Sequence, residues 1–136
     1  MSKIAETEYP GGLRTSSVHL RSGQVVITDA PPDNNGRGEA FSPTDLLSTS
    51  LACCMITIMG IVANRHNINI DGTKAEVSKA MGTDPRRVIE IGVALTVPGK
   101  NLADKDKQLL ENAAYTCPVA KSLHPDLKQT VSFNWV

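Results

Sequence analysis

Apolar and polar positions change their rhythm several times along the chain. Between residues 3 and 29 short runs break at Pro10-Gly11-Gly12 and Ser22-Gly23, with Val18, Leu20, Val25, Val26 and Ile27 as the apolar positions. That pattern predicts three antiparallel strands. From Ala30 to Ala40 turn formers crowd together without periodicity, in Pro31-Pro32-Asp33-Asn34-Asn35-Gly36-Arg37-Gly38, so a loop is expected there. Ser42 then offers an N-cap, Pro43 a first helical residue and Asp45 the reciprocal acid of a capping box. The helix they open runs to about Arg65, and from Leu51 onward it is apolar on nearly every side.

Beyond that helix, Ile68, Ile70 and the run to Ala80 predict a strand. Ile89, Ile91, Val93, Leu95 and Val97 alternate with Glu90, Gly92, Ala94 and Thr96, the period of a strand with one buried face. Asp84-Pro85 marks the turn between them, giving a long antiparallel hairpin that Pro98-Gly99 ends. Residues 102 to 115 fit an amphipathic helix, a short helix follows from Pro118, and a last strand covers Gln129 to Val136.

A helix without a polar face must be surrounded. At 1.5 Å per residue this one is about 34 Å long, more than one sheet of one small subunit can wrap. A second copy covering the far side is the economical solution, so an obligate, interlocked homodimer is expected. A membrane span is the rival reading, but Ser48, Thr49, Ser50, Thr57 and Gly60 interrupt the roughly eighteen residues between Asp45 and Arg65 that would have to cross.

Composition narrows the classes. The chain has 136 residues, 40% of them hydrophobic, which suits a single domain over 1–136 with one core. Fourteen basic residues balance fourteen acidic ones, so no electrostatic footprint points to nucleic acid or to an anionic membrane. Residues 1 to 8 lack the apolar core of a signal peptide, and a cytoplasmic protein is expected. Three cysteines in a reducing compartment argue against a disulfide framework.

Those cysteines carry the candidate chemistry. Cys53 and Cys54 lie in the apolar helix, where a cysteine is usually a small hydrophobe. Their side chains point about 100° apart, so one at most faces a given pocket and the other is expected in the core. Cys117 stands directly before Pro118, at an N-cap where helix N–H groups favour a thiolate. Ser, Thr, Asp or Asn would be the routine cap. A zinc site is not expected, because Cys53, Cys54, Cys117, His19, His66 and His124 show none of the usual ligand spacings.

Ser42-Pro43, a cysteine eleven residues after that proline (Cys54) and the segment Cys117-Pro118-Val119-Ala120 together make the chain resemble the OsmC/Ohr family of hydroperoxide-reducing proteins over essentially its whole length. The resemblance implies an α+β protein in which antiparallel sheets wrap a long buried central helix in an intertwined homodimer, with the active site at the subunit interface. It also implies that Cys54 is the peroxidatic thiol and Cys117 the resolving one, and gives Cys53 no counterpart.

In the best-known branches of the family a Glu directly follows the proline. Here Thr44 takes that place and the acid, Asp45, comes one residue later, as in less characterised branches. Nine residues along a helix is about 13 Å, so Asp45 could serve Cys54 only by orienting a cation, besides capping Ser42. Arg14, after Gly11-Gly12-Leu13, is the first choice for that cation and Arg37, in the loop before Ser42, the second. The implied activity is reduction of organic hydroperoxides to alcohols, without a cofactor, the disulfide being reopened by an external dithiol or lipoyl-type reductant. A non-catalytic module that binds small molecules or thiols, and a structural dimer with inert cysteines, are the alternatives.

Overall fold

The structure, a computed structural model, describes residues 1–136. It divides into two compact units, Met1–Leu46 and Leu47–Val136, with the boundary inside the first turns of the long helix.

In the first unit β1 (Ala5–Gly11), β2 (Arg14–His19) and β3 (Val25–Asp29) form an antiparallel sheet in that order. The β1–β2 turn needs positive φ at Gly11, Gly12 and Leu13; glycine takes this freely, and Leu13 takes it at a steric cost. Every expected strand is present, but the sheet has no core of its own. Val18, Leu20, Val25, Val26 and Ile27 are all exposed, and the unit buries only Thr28, Asp29 and Ser42. The loop from Ala30 to Phe41 holds a single 3-10 turn at Pro32–Asn34. It folds tightly back on β3, with Gly36 so close to the Ala30 carbonyl that any side chain there would collide with it.

The second unit is built on α1 (Pro43–Arg65), which starts at the capping signal and ends at Arg65, where the apolar run stops. Its buried residues, Ser48, Leu51, Ala52, Met55, Met59 and Ala63, recur at the spacing of one helix face. All of these but Ser48 pack with Val88, Ile91, Val93, Leu95 and Val97 of β5 (Arg87–Val97), Leu110 and Ala114 of α2 (Asp104–Ala114), Cys117 and Leu127. Each fully buried Leu or Met here contributes about 1.5–3 kcal/mol. α1 is long and apolar enough to cross a membrane, yet this stripe belongs to the protein's own core. A second stripe, Leu47, Cys53, Thr57 and Ile61, is exposed.

β4 (Lys74–Gly82) pairs antiparallel with β5, as the hairpin predicts, whereas β6 (Lys128–Trp135) runs parallel to β5. The expectation of purely antiparallel sheets is corrected here. α2 and α3 (Pro118–Ser122) lie between β5 and β6 in the chain, and such a helical crossover returns the chain in the direction of the strand it left. β4 also begins later than expected, at Lys74, because Ile68 to Thr73 form an irregular approach with a turn closed by the Thr73 N–H on the Ile70 carbonyl.

Ile89 is a further correction. Ala80 pairs with Glu90 and Met81 with Val88, leaving Ile89 as the extra residue of a bulge that reverses the alternation. Val88 is therefore buried and Ile89 is exposed.

Candidate active site

Cys117 reaches its position because α2 ends at Ala114 and Pro118 opens α3. Its backbone is extended, and its Sγ accepts the Ala120 N–H at 3.3 Å, completing the expected N-cap. The expected thiolate is overturned. Burial pushes the thiol up, the Ala120 and Val119 N–H groups pull it down, and the neighbouring Cys54 pushes it up again, for a net rise. A five-residue helix offers little dipole, and Cys117 has no exposed surface at all. Desolvation of the anion outweighs these two N–H groups.

Cys54 is half-buried on α1 and packs against the same core cluster. It lies near enough to Cys117 to help raise that thiol, so two thiols 63 positions apart in sequence meet in one place. All three cysteines are free thiols. The vicinal cysteine that does not join Cys117 is Cys53, and it is exposed on the outer stripe of α1 and not in the core, since the single face of α1 that meets β5 is filled by Leu51, Ala52, Met55 and Met59.

Arg14 and Arg37 belong to a second constellation, at the end of the first sheet. Arg14 Nε donates to Asp29 Oδ1 at 2.7 Å and Nη2 to Asp29 Oδ2 at 2.8 Å, while Nη2 also reaches Glu39 Oε2 at 3.2 Å. The Glu39 N–H donates to Asp29 Oδ2 at 3.1 Å. The Arg14 hydrogen bonds hold the Asp29 carboxyl below the ordinary carboxylate range against the cost of its burial, helped by the Glu39 N–H and the charge of Arg37. Arg37 lies over Gly12, where a side chain would meet its guanidinium.

Sequence reasoning missed Asp29. The signal was present, because equal steps back from the turn at Arg21-Ser22 bring Arg14 opposite Asp29. Asp45 forms the capping box: the Ser42 N–H donates to Asp45 Oδ2 at 2.9 Å and the Asp45 N–H donates to Ser42 Oγ at 3.0 Å.

A family model for OsmC-like protein matches residues 36–132, a span that holds the capped helix start and both interacting thiols. The chain belongs to the OsmC-like family. A crystal structure from Psychrobacter arcticus 273-4, provisionally named an osmotic stress induced and detoxification response protein, is 54% identical with a TM-score of 0.94, covering 98% of this chain and 97% of that one. At 19% identity and a TM-score of 0.71, an organic hydroperoxide resistance protein OsmC from Legionella pneumophila shares the fold over 97% of both chains. So does an organic hydroperoxide resistance protein from Elizabethkingia anophelis, at 13% identity and a TM-score of 0.75, over 100% of this chain and 99% of that one. No curated protein matches the chain.

Within this OsmC-like fold, the sequence-predicted residues fall into three local groups: Cys54 with Cys117, Arg14 and Arg37 around Asp29, and Asp45 with Ser42. No cluster of three or more His, Cys, Asp or Glu side chains is arranged to hold a metal. A concavity of about 300 Å³ on the outer face of β4, β5 and β6, lined by Glu76, Ser78, Gly92, Thr130 and Ser132 among others, does not include the thiols.

Proposed function

We propose that this OsmC-like protein is a thiol-dependent peroxidase that reduces organic hydroperoxides to alcohols in defence against oxidative stress. The closeness of Cys54 and Cys117 carries the reading. It joins a half-exposed thiol, open to a substrate, to a buried one that stays protonated, which is the division of labour between an attacking and a resolving cysteine.

An unperturbed thiol is only a few per cent ionised at neutral pH, so the attack needs a cation, and Arg14 is proposed for it, with Arg37 as the alternative. The Cys54 thiolate attacks one oxygen of R–O–O–H; the O–O bond breaks, Cys54 becomes S–OH, and the departing alkoxide takes a proton to give the alcohol. The Cys117 sulfur then attacks the Cys54 sulfur, forming the disulfide and releasing water with the Cys117 proton. A guanidinium at the leaving oxygen stabilises the charge that develops there.

No cofactor is required. Two electrons must return from outside, and an external dithiol or lipoyl-type reductant is proposed as their source. The apolar setting of Cys54, with Leu51, Met55 and Ile58 on the same helix, favours organic over hydrogen peroxide.

The working unit is proposed to be a homodimer, cytoplasmic, with the active site at the subunit interface. In its support, the first sheet leaves its apolar residues uncovered, and Leu47 and Ile61 are 39% and 43% exposed along α1. A three-stranded sheet without a hydrophobic partner is marginal in water.

Intact mass spectrometry with peptide mapping tests the chemistry. The reduced protein is given one equivalent of cumene hydroperoxide or of hydrogen peroxide. Loss of two hydrogens with a Cys54–Cys117 crosslink, faster for the organic peroxide, is the expected result. An unchanged mass, or scattered oxidation of Met and Cys53, would move the assignment to a binding module on the same fold.

A further inference from the structure

A disulfide between Cys54 and Cys117 has two sulfurs at which it can be opened, and they are not equally reachable. In thiol–disulfide exchange the incoming thiolate must reach the sulfur it attacks and expel the other one. Cys117 has no exposed surface, whereas Cys54 is half-buried. The core cluster that takes in Cys117, from Leu51, Met55 and Met59 of α1 to Leu110, Ala114 and Leu127, lies wholly within Leu47–Val136. The cover on Cys117 is thus that unit's own packing. A second copy of the chain could only add to it, and joining the Cys117 sulfur to Cys54 uncovers none of it.

We propose that the external reductant opens the disulfide at Cys54, with Cys117 as the sulfur that leaves. This rests on the peroxidase reading above. A thiolate of the reductant bonds to the Cys54 sulfur, the Cys54–Cys117 bond breaks, and its electron pair goes to Cys117, which takes up a proton. The reductant's second thiolate then attacks the reductant sulfur held on Cys54, closing the reductant's own disulfide and releasing the Cys54 thiolate, so that two electrons have passed. Leaving-group strength favours the opposite direction, because burial raises the Cys117 thiol and a thiolate of higher pKa leaves more slowly. That effect scales a rate, whereas reach is a precondition for any rate. The Ala120 N–H, 3.3 Å from Cys117 Sγ, also stands ready to receive the charge on the departing sulfur. Peroxide and reductant therefore meet the same sulfur in turn, and Cys117 stays in the core throughout. From there it can attack the mixed disulfide and expel the reductant again, a reversal that a dithiol outruns by supplying its second thiol from the same molecule.

The test starts from the full chain oxidised with one equivalent of cumene hydroperoxide. It is mixed with excess β-mercaptoethanol, stopped in acid, where exchange halts, and digested with pepsin so that mass spectrometry locates the adduct. The adduct is expected on Cys54 with Cys117 free, and an adduct on Cys117 overturns the inference. Where recapture by Cys117 leaves too little adduct to map, labelling by dithiodipyridine decides, since it passes through the same arrangement of three sulfurs. Two chains are compared, Cys53→Ser with Cys117→Ser and Cys53→Ser with Cys54→Ser, the exposed Cys53 being removed from both. The chain that keeps Cys54 is expected to react faster by about 10-fold or more, because the buried thiol waits for local opening; a smaller difference overturns the inference. Circular dichroism checks folding, and Cys54→Ala takes the place of Cys54→Ser if the latter unfolds. A chain that cumene hydroperoxide leaves without the Cys54–Cys117 crosslink overturns the peroxidase reading, and the inference falls with it. Attack at Cys117 overturns the inference and leaves that reading intact.

Discussion

Ser42 and Asp45 hold each other at the mouth of α1, each donating its backbone N–H to the other's side-chain oxygen, at 2.9 and 3.0 Å. Two N–H groups that a helix start leaves without partners are satisfied reciprocally, which explains an acid at position 45 in structural terms. Asp45→Ala is expected to lower stability by about 0.5–2 kcal/mol, measured by urea unfolding, and Ser42→Ala by a similar amount, with the double variant costing less than the sum. Asp45→Asn keeps an acceptor oxygen and should lose less. A peroxidase rate that falls in Asp45→Asn while stability holds would give the carboxylate charge a part in the chemistry as well.

The three cysteines should separate cleanly by substitution. Cys54→Ser is expected to abolish peroxide consumption. Cys117→Ser should leave the first turnover intact and stop the cycle at a Cys54 sulfenic acid, detected as a dimedone adduct by mass spectrometry. Cys53→Ser should change neither, since Cys53 lies on the exposed stripe of α1.

Stability should fall at both ends of the pH scale. The Cys117 thiol is raised in the folded state, chiefly by burial, so above the ordinary thiol range the unfolded chain loses that proton first. The folded state then binds more protons, and stability declines as pH rises towards the folded value. Asp29 is lowered from its ordinary 3.8, chiefly by the Arg14 hydrogen bonds. Its contribution is present above 3.8 and is lost as pH falls through the folded value. Urea midpoints should be flat from about pH 5 to 8. Cys117→Ala should flatten the alkaline limb, and Asp29→Asn the acid one.

A charge placed on the outer stripe of α1 should separate the subunits. Ile61→Glu and Leu47→Glu alter residues that the core does not contain. Light scattering should report twice the chain mass for the parent protein and the single-chain mass for the variants at micromolar concentration. A parent protein that is monomeric at all accessible concentrations would overturn the dimer.

The chain's local features were legible in advance. The span of α1 follows from Ser42, Pro43 and Asp45 at one end and from the apolar run up to Arg65, and Cys117 is an N-cap because Pro118 follows it. The alternation from Ile91 to Val97 likewise marks the buried face of β5. Such signals work over a few residues, because capping, φ restriction and side-chain periodicity are properties of neighbours in the chain. What only the tertiary structure decided lies elsewhere. β6 runs parallel to β5, a bulge at Ile89 gives the buried place to Val88, Asp29 meets Arg14, and Cys117 is a buried thiol instead of a thiolate. Register depends on which distant strand arrives and at what offset, and the charge state of a thiol depends on how much water the packed core excludes. Both are set when remote segments meet, so the sequence determined which residues could do the chemistry, and packing decided which of them share a site and in what protonation state.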